Sequence, residues 1–353
     1  MVTYQDKPWL KHYDPGVPHS LAPYPSHPLH QYLADAAAAN YGATAIITAA
    51  HLPLVGHVAN RISYGALNDL TDALAVALDD LGLKKGDRVA LILPNCAQFV
   101  IAFYATLKAG GAVVAVNPTF PPVKMAEQLA DSGATFAITL TLFYENLKEV
   151  QAQTKVQHVI ATGIKEYLPS SARALFTLAK EKKEGHRISK RPEDHWLQDL
   201  LARYAGRRPT ADVQGDDICI FQYTGGTTGV PKAAMSTHNA LVANTVQCRA
   251  WLARQGVQES FLAAIPLFHV FGMVAMMSFA VSLGAAMIMV PNPRDITDMV
   301  QKIDRYRPTL FMGVPALYNG ITVIQGSSPA SMTCRLSTPV SADRLRCRPR
   351  PNG

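Results

Sequence analysis

No two cysteines in this 353-residue chain stand at the spacing of a metal knuckle or a redox pair. Its five, Cys96, Cys219, Cys248, Cys334 and Cys347, form no CxxC and have no histidine at ligand spacing. Neither a zinc site nor a disulfide framework is expected, and a reducing cytoplasm is the compartment implied. The start, "MVTYQDKPWLKHYDPGVPHS", lacks the apolar run of a secretory signal and reads as an irregular, Pro-broken arm. Excess charge is also scarce in the body. The formal net charge is +7, but Arg335, Arg344, Arg346, Arg348 and Arg350 against Asp343 put +4 of it between Ser331 and Gly353. The rest is only mildly basic, so nucleic acid is not expected as a partner. Long hydrophobic runs are limited to one, Val270 to Val290, which is uncharged and long enough to cross a bilayer. It is rich in Gly, Ala and Ser, lacks aromatic anchors at both ends, and divides at Leu283-Gly284 into a helix-like half and the strand-like "AAMIMV". A buried helix plus strand and a membrane span both stand as readings.

What is present is an α/β pattern. Hydrophobic residues at 48% and charged residues at 17% suit a globular chain with a sizeable core. In "SYGALNDLTDALAVALDDLG" the spacing puts Leu67, Leu70, Leu74, Leu78 and Leu81 on one helical stripe, with Ser63 as N-cap and Gly82 just past the end. "GDRVALILPN" gives a strand, and Asn95 with Gln98 resembles a capping box opening the helix "CAQFVIAFYATLKAGG". The strand "AVVAVNP", the helix "PPVKMAEQLADSG" and the strand "TFAITL" follow. This alternation predicts layered parallel sheets with helices on both faces.

Between Ile164 and Arg208 lysine and arginine mix with Leu175, Phe176, Leu178 and Trp196. Residues 165–208 read either as a solvated helix and linker or as a basic amphipathic segment in peripheral contact with anionic lipid at the inner membrane face. A second alternation opens at "DDICIFQYT" and runs through a helix in "THNALVANTVQCRAWLAR", the strand "FLAAIP", the buried segment, a helix in "DITDMVQKIDRYRP" and the strand "TLFMGVP". The expected organisation is an N-terminal arm with first elements (1–57), a first α/β unit with basic linker (58–210), a second, incomplete α/β unit (211–322) and a tail (323–353).

The stretch "YTGGTTGVPK", Tyr223 to Lys232, is the densest chemical signal. A strand entering a Gly/Thr loop and then a helix would present backbone N–H groups, hydroxyls and a helix N-terminus to an anion. Gly225, Gly226 and Gly229 permit close backbone approach, Thr224, Thr227 and Thr228 add hydroxyl donors, and Lys232 adds a mobile positive charge. Val230 and Pro231 separate glycine from lysine, so this is not a Walker A loop. A plain hairpin turn needs far less glycine.

"YTGGTTGVPKAAMSTHNALVAN" resembles the ATP-binding signature of the AMP-forming adenylating enzymes, and among them the bacterial long-chain fatty-acid CoA ligases. The likeness extends to "PWLKHYDPGVP", "ISYGALNDL", "GDRVALILPNCAQFVIAFYATLKAGGAVVAVNP", "IPLFHVFG" and "NPRDITDMVQKIDRYRPTLFMGVPALYNGI", covering roughly residues 8 to 322. Gly225 stands where many relatives have serine and Ala233 where glycine is common; neither removes a required charge.

The resemblance implies a two-step reaction. A fatty carboxylate attacks the α-phosphate of ATP to give an acyl-adenylate and pyrophosphate, and the thiol of coenzyme A then displaces AMP. It implies that Thr224 helps hold Mg²⁺, that the loop through Gly229 cradles pyrophosphate and that Lys232 neutralises it. It also implies that His269, with Phe271 and Gly272, lines the acyl and adenylate site, and that Met273 to Val290 lies behind the acyl pocket. From the residues alone, His269 reads equally as a core histidine between Phe268 and Val270.

After about Ile321 the character changes. "VIQGSSPASMTCRLSTPVSADRLRCRPRPNG" has no apolar period and resembles an out-of-frame translation, so 323–353 is expected to be a disordered, aberrant tail on a C-terminally truncated chain. The family's later Gly-x-Thr-Glu segment, ribose-binding aspartate and lysine-bearing C-terminal domain find no counterpart in the sequence. The expectation is therefore a ligase by descent in which this chain alone forms no acyl-CoA; the alternative is a non-catalytic nucleotide- or acyl-binding fragment.

Overall fold

The computed structural model describes residues 4–52, 56–224, 232–254, 256–325, 334–336 and 344–347. After the N-terminal arm come α1 (Gln31–Ala39), β1 (Thr44–Leu52), β2 (Gly56–Ser63) and α2 (Tyr64–Asp80). The Ser63 hydroxyl accepts from the Ala66 N–H at 3.1 Å, capping α2 as its sequence predicts. Gly82 follows the helix at a φ of 99°, a conformation that costs a side-chain-bearing residue strain. Strand and helix then alternate: β3 (Arg88–Ile92), α3 (Ala97–Lys108), β4 (Ala112–Ala115), α4 (Pro122–Ser132), β5 (Phe136–Leu140), α5 (Tyr144–Val150) and β6 (His158–Thr162). Next come α6 (Ser170–Ala179), β7 (His195–Trp196), α7 (Leu197–Arg203), β8 (Ile218–Thr224), β9 (Lys232–Thr237) and α8 (His238–Leu252). The remainder is β10 (Ser260–Ala263), a π-helical stretch Phe271–Ser278 continuing into α9 (Phe279–Ser282), β11 (Ala286–Met289), α10 (Ile296–Tyr306), β12 (Leu310–Met312), α11 (Pro315–Gln325), β13 (Cys334–Leu336) and β14 (Arg344–Cys347).

Two sheets result. The first has the order β7-β6-β5-β3-β4-β8-β9, parallel throughout except for β9. The second has the order β13-β14-β12-β10-β11-β1-β2, with β1, β10, β11 and β12 parallel. Between the sheets lie α2 and α3, whose Leu67, Leu74, Phe99 and Phe103 share one core with Val89 and Leu91 of β3 and Phe261 and Ala263 of β10. Every residue of α3 is buried, which is why its sequence is mostly apolar on every side; its polar Gln98, Thr106 and Lys108 are all hydrogen-bonded. On the outer face of the first sheet, Ala90 and Ile92 pack against Met125, Leu129 and Leu147 of α4 and α5. On the outer face of the second, Leu262 and Ile288 pack against Met299 and Ile303 of α10. Parallel sheets covered on both faces are the predicted class, and the strands read as continuous apolar runs for that reason.

Several expectations change. The boundary at 210 and 211 does not follow the sheets, because β8 and β9 join the first and β1 and β2 join the second. Asn95 and Gln98 form no capping box: Cys96 is the N-cap of α3 and makes no side-chain cap bond, while both amides are spent on distant loops. Residues 270–290 divide into the helical segment and β11, and no helix of the described residues is long and apolar enough to cross a membrane. The tail, expected to be disordered, contributes β13 and β14, the latter pairing antiparallel with β12. An open strand edge accepts any extended chain through its backbone, whatever its side-chain pattern. The other residues beyond 325 lie outside the described residues.

Candidate active site at the ends of the two parallel sheets

Parallel strands place their ligands beyond the carboxyl ends, and here the first sheet reverses direction around β3. The chain passes from β3 to β4 on one side, then crosses to β5 on the other, with α3 and α4 on opposite faces. β8 lies beside β4, so the strand order β3, β4, β8 puts the end of β8 two strand spacings, roughly 10 Å, from the end of β3.

β8 leads directly into the glycine loop. Thr224 and Lys232 are register partners in the antiparallel β8–β9 pair, with the Thr224 hydroxyl 3.5 Å from the Lys232 carbonyl. Both are exposed. The loop is therefore the connection of a hairpin, and the expected helix begins only at His238, after β9. That corrects the strand–loop–helix expectation: the N-terminus of α8 does not follow the loop. The physical reason is that β8 has a free edge beside it and "KAAMST" extends along it. Gly225, Gly226, Thr227, Thr228 and Gly229 lie outside the described residues. The end of β8 is anchored by the Tyr223 hydroxyl, which donates to the Asp131 carboxylate in the last turn of α4. Burial, aided by that carboxylate, pushes the Tyr223 phenol well above its ordinary range, so it stays protonated.

The segment 264–272 carries the second group of sequence-predicted residues. His269 is exposed, its Nδ1 accepting from the Phe271 N–H at 3.2 Å, and is not the core histidine that one reading allowed. Phe271 is half-buried against the central core, and Gly272 is buried. A Cβ at Gly272 would overlap the carbonyl of Pro266, so only glycine lets the helix start close to the preceding turn.

The His269 segment is held in turn by Asn95, which sequence reasoning assigned to a helix cap. It follows β3 and is 2% exposed. Its Nδ2 donates to the carbonyls of Ala263 and Ile265, both at 2.8 Å, and its Oδ1 accepts from the Leu267 N–H at 2.8 Å. The carboxyl end of β3 in one sheet is thus tied to the segment leaving β10 in the other, and both sheets direct their strand ends to the same place. Gln98 acts similarly, its Nε2 donating to the Gly163 carbonyl at 2.7 Å beyond β6. The available sequence signal was weak: a lone polar residue between an apolar strand and a helix that is buried all round.

Among the described residues no group of three or more His, Cys, Asp or Glu could hold a metal ion. Thr224 supplies one exposed hydroxyl, which fits a hard cation that arrives with most of its oxygen ligands from phosphates and water. Two of the clefts that lie elsewhere are the most notable for their lining. One of about 300 Å³, beyond β5, β6 and β7, is lined by Thr141, Thr162, Lys165, His186, Arg187 and Trp196. The other, of about 540 Å³, lies between the N-terminal arm and α8 and is lined by Tyr13, Tyr24 and Trp251 among others. Neither contains Thr224, Lys232 or His269.

Comparison with known proteins identifies the family. The family described as AMP-binding enzyme matches residues 33–344. A long-chain-fatty-acid–CoA ligase of Bacillus subtilis is 36% identical over 322 residues, covering 89% of this chain and 55% of the relative. One of Yersinia pestis is 32% identical, covering 90% of this chain and 56% of the relative. The crystal structure of a long-chain-fatty-acid-CoA ligase from Archaeoglobus fulgidus superposes with a TM-score of 0.71 at 23% identity, over 90% of this chain and 57% of that one. At that identity the likeness speaks for the fold. The chain spans little more than half the length of these curated relatives.

Proposed function

Because the chain belongs to the AMP-binding enzyme family, we propose that it carries the phosphate- and acyl-facing part of an AMP-forming long-chain fatty-acid CoA ligase, with a fatty acid, ATP and coenzyme A as substrates. The observation that supports this most is the clamp of Asn95, which holds the His269 segment to the end of β3, two strands from the end of β8 where the glycine loop begins. In this reading the loop Thr224, Gly225, Gly226, Thr227, Thr228 and Gly229 holds the triphosphate through backbone N–H groups and hydroxyls, and Lys232 offsets charge on the departing pyrophosphate. Thr224 contributes a hydroxyl to Mg²⁺, which supplies charge neutralisation on the phosphate oxygens when bound. His269, Phe271 and Gly272 border the acyl-adenylate. The imidazole, in open solvent and bonded to the Phe271 N–H, orients substrate and moves no proton.

Two further features belong to the same reading. This chain alone forms no acyl-CoA; palmitate- and coenzyme A-dependent release of AMP by the purified 353-residue chain would overturn that. The segment 165–208 meets an anionic lipid surface at the cytoplasmic face. In support, Leu178 is 87% exposed and Leu175 41% exposed on α6, of which only Ala172 is buried, and Lys180, Lys182 and Lys183 follow. Isothermal titration with ATP tests the core of the reading. The chain should bind ATP, and Lys232→Ala should weaken binding about tenfold or more, a charged contact being worth about 1.5–3 kcal/mol. No ATP binding, or binding indifferent to Lys232, would remove the loop from the function.

A further inference from the structure

The segment 264–268 between β10 and the π-helical stretch is irregular backbone in the middle of the molecule. Ala263, Ala264 and Leu267 are fully buried and Ile265 nearly so. Buried backbone groups need partners, and neither a helix nor a sheet ladder supplies them all at this point. The Ala263 carbonyl also accepts from the Val290 N–H at 3.2 Å, and the Ala264 N–H reaches the Leu262 carbonyl at 3.0 Å. The Ile265 carbonyl and the Leu267 N–H both pair with one side chain, Asn95, which reaches across from the first sheet. Downstream, the His269 N–H donates to the Pro266 carbonyl at 3.1 Å, and the Met273 N–H to the His269 carbonyl at 2.9 Å. Gly272 is held against that same Pro266 carbonyl. The position of His269 is thus set by a short chain of contacts whose fixed end is the Asn95 amide.

We infer that Asn95 is a positioning residue for the acyl-facing side of the site: its amide fixes the 264–268 turn, and through it His269, relative to the β3 strand end. It touches no substrate. This rests on the reading of His269 as acyl-adenylate lining. The geometry separates the two halves of the ligand. The end of β8, where the glycine loop begins, is anchored to α4 by the Tyr223–Asp131 hydrogen bond, in which Asn95 has no part. Loss of the amide should therefore loosen the acyl side and leave the phosphate side in place.

The probes are ATP and palmitoyl-sulfamoyl-adenosine, a non-hydrolysable mimic of the acyl-adenylate, titrated into the full chain and into Asn95→Ser and Asn95→Asp. Serine keeps one short hydroxyl; aspartate keeps the shape and the acceptor for Leu267 but turns two donated bonds into carboxylate–carbonyl repulsion. The mimic should bind at least tenfold more weakly to Asn95→Ser and weaker still to Asn95→Asp, while the dissociation constant for ATP changes less than threefold. A folded variant that loses both affinities alike or neither, or an Asn95→Ser chain that does not fold at 20 °C, makes Asn95 a residue of the fold alone and overturns the inference. If the unaltered chain binds neither probe, the proposed function itself fails, and hydrogen exchange then decides. Asn95→Ser should deprotect the amides of 264–271 at least tenfold while those of β5 stay unchanged; equal protection overturns the inference.

Discussion

Asn95, Lys232 and His30 show three ways in which one side chain can matter here. Asn95 acts on partners 168 to 172 residues away, so no local pattern could reveal it. The role proposed for Lys232, by contrast, rests on a local pattern of ten consecutive residues. In the proposed reading, and in a form of the protein that carries out adenylation, Lys232→Ala should slow that step about 100-fold, by analogy with loss of a single transition-state donor, with little change in fatty-acid affinity. His269→Ala should do the opposite, changing the apparent affinity or chain-length preference for fatty acids with the adenylation rate nearly kept. Steady-state kinetics with ATP and a series of fatty acids checks both. His30 and His238 make a different case. The His238 Nδ1 accepts from the Leu29 N–H at 3.0 Å, fastening the N-terminal arm to the start of α8. Burial lowers both, His30 to about 3 with His238 and Lys108 adding to it, and His238 to about 4 although the nearby Asp217 carboxylate opposes the shift. Both are neutral when folded, while the unfolded chain takes up protons below about pH 6.5. The unfolded state then binds more protons, so stability rises with pH from about 4 to about 6.5 and is level above that range. At pH 5 each histidine should cost about 2 kcal/mol relative to pH 7.5. Urea unfolding at the two pH values measures the loss, and His238→Asn, which keeps an acceptor for Leu29, should reduce it.

At the scale of elements, the sequence spoke clearly wherever one face of a helix or both faces of a strand decide burial. The leucine stripe of α2, its Ser63 cap and the continuous apolar runs of β3, β4 and β5 follow from periodicity, and they form as read. β9 was missed because its exposure alternates poorly and Met235, 61% exposed, gives it no apolar face; only the free edge of β8 makes it a strand. The packing of α2 on α3 adds a test. Lys108, buried on α3, donates to Asp72 at 2.6 Å, to the Asn68 side chain at 2.7 Å and to the Thr71 hydroxyl at 2.8 Å, all on α2. Burial lowers the Lys108 ammonium below its ordinary range, with Asp72 opposing. Removing one member of such a pair strands the other in a dry site. Lys108→Ala should therefore destabilise the fold by about 3–5 kcal/mol, read from denaturant midpoints at constant slope. Asp72 retains Arg208 at 2.6 Å, which puts the loss near the lower end of that range.

For the whole molecule, the alternation of strands and helices announced parallel sheets, but not how two sheets share one interior. That depends on which strands return: β1 and β2 cross to the second sheet, and β8 and β9 come back to the first, and such pairings are set by long-range packing. Two loops more than 30 residues apart in the chain leave β8 and β10; Asn95 ties the second of them to the end of β3, two strands from β8, and the ligand proposed for the pair has a phosphate end and an acyl end. Hydrogen exchange with and without palmitoyl-sulfamoyl-adenosine, followed by peptide mass analysis, tests this most directly. The expected result is protection of two segments at once, 222–233 and 263–272, with the cleft at 141–199 unchanged. Protection confined to one of the two, or appearing instead around Lys165, His186 and Trp196, would contradict a single site at the joined strand ends.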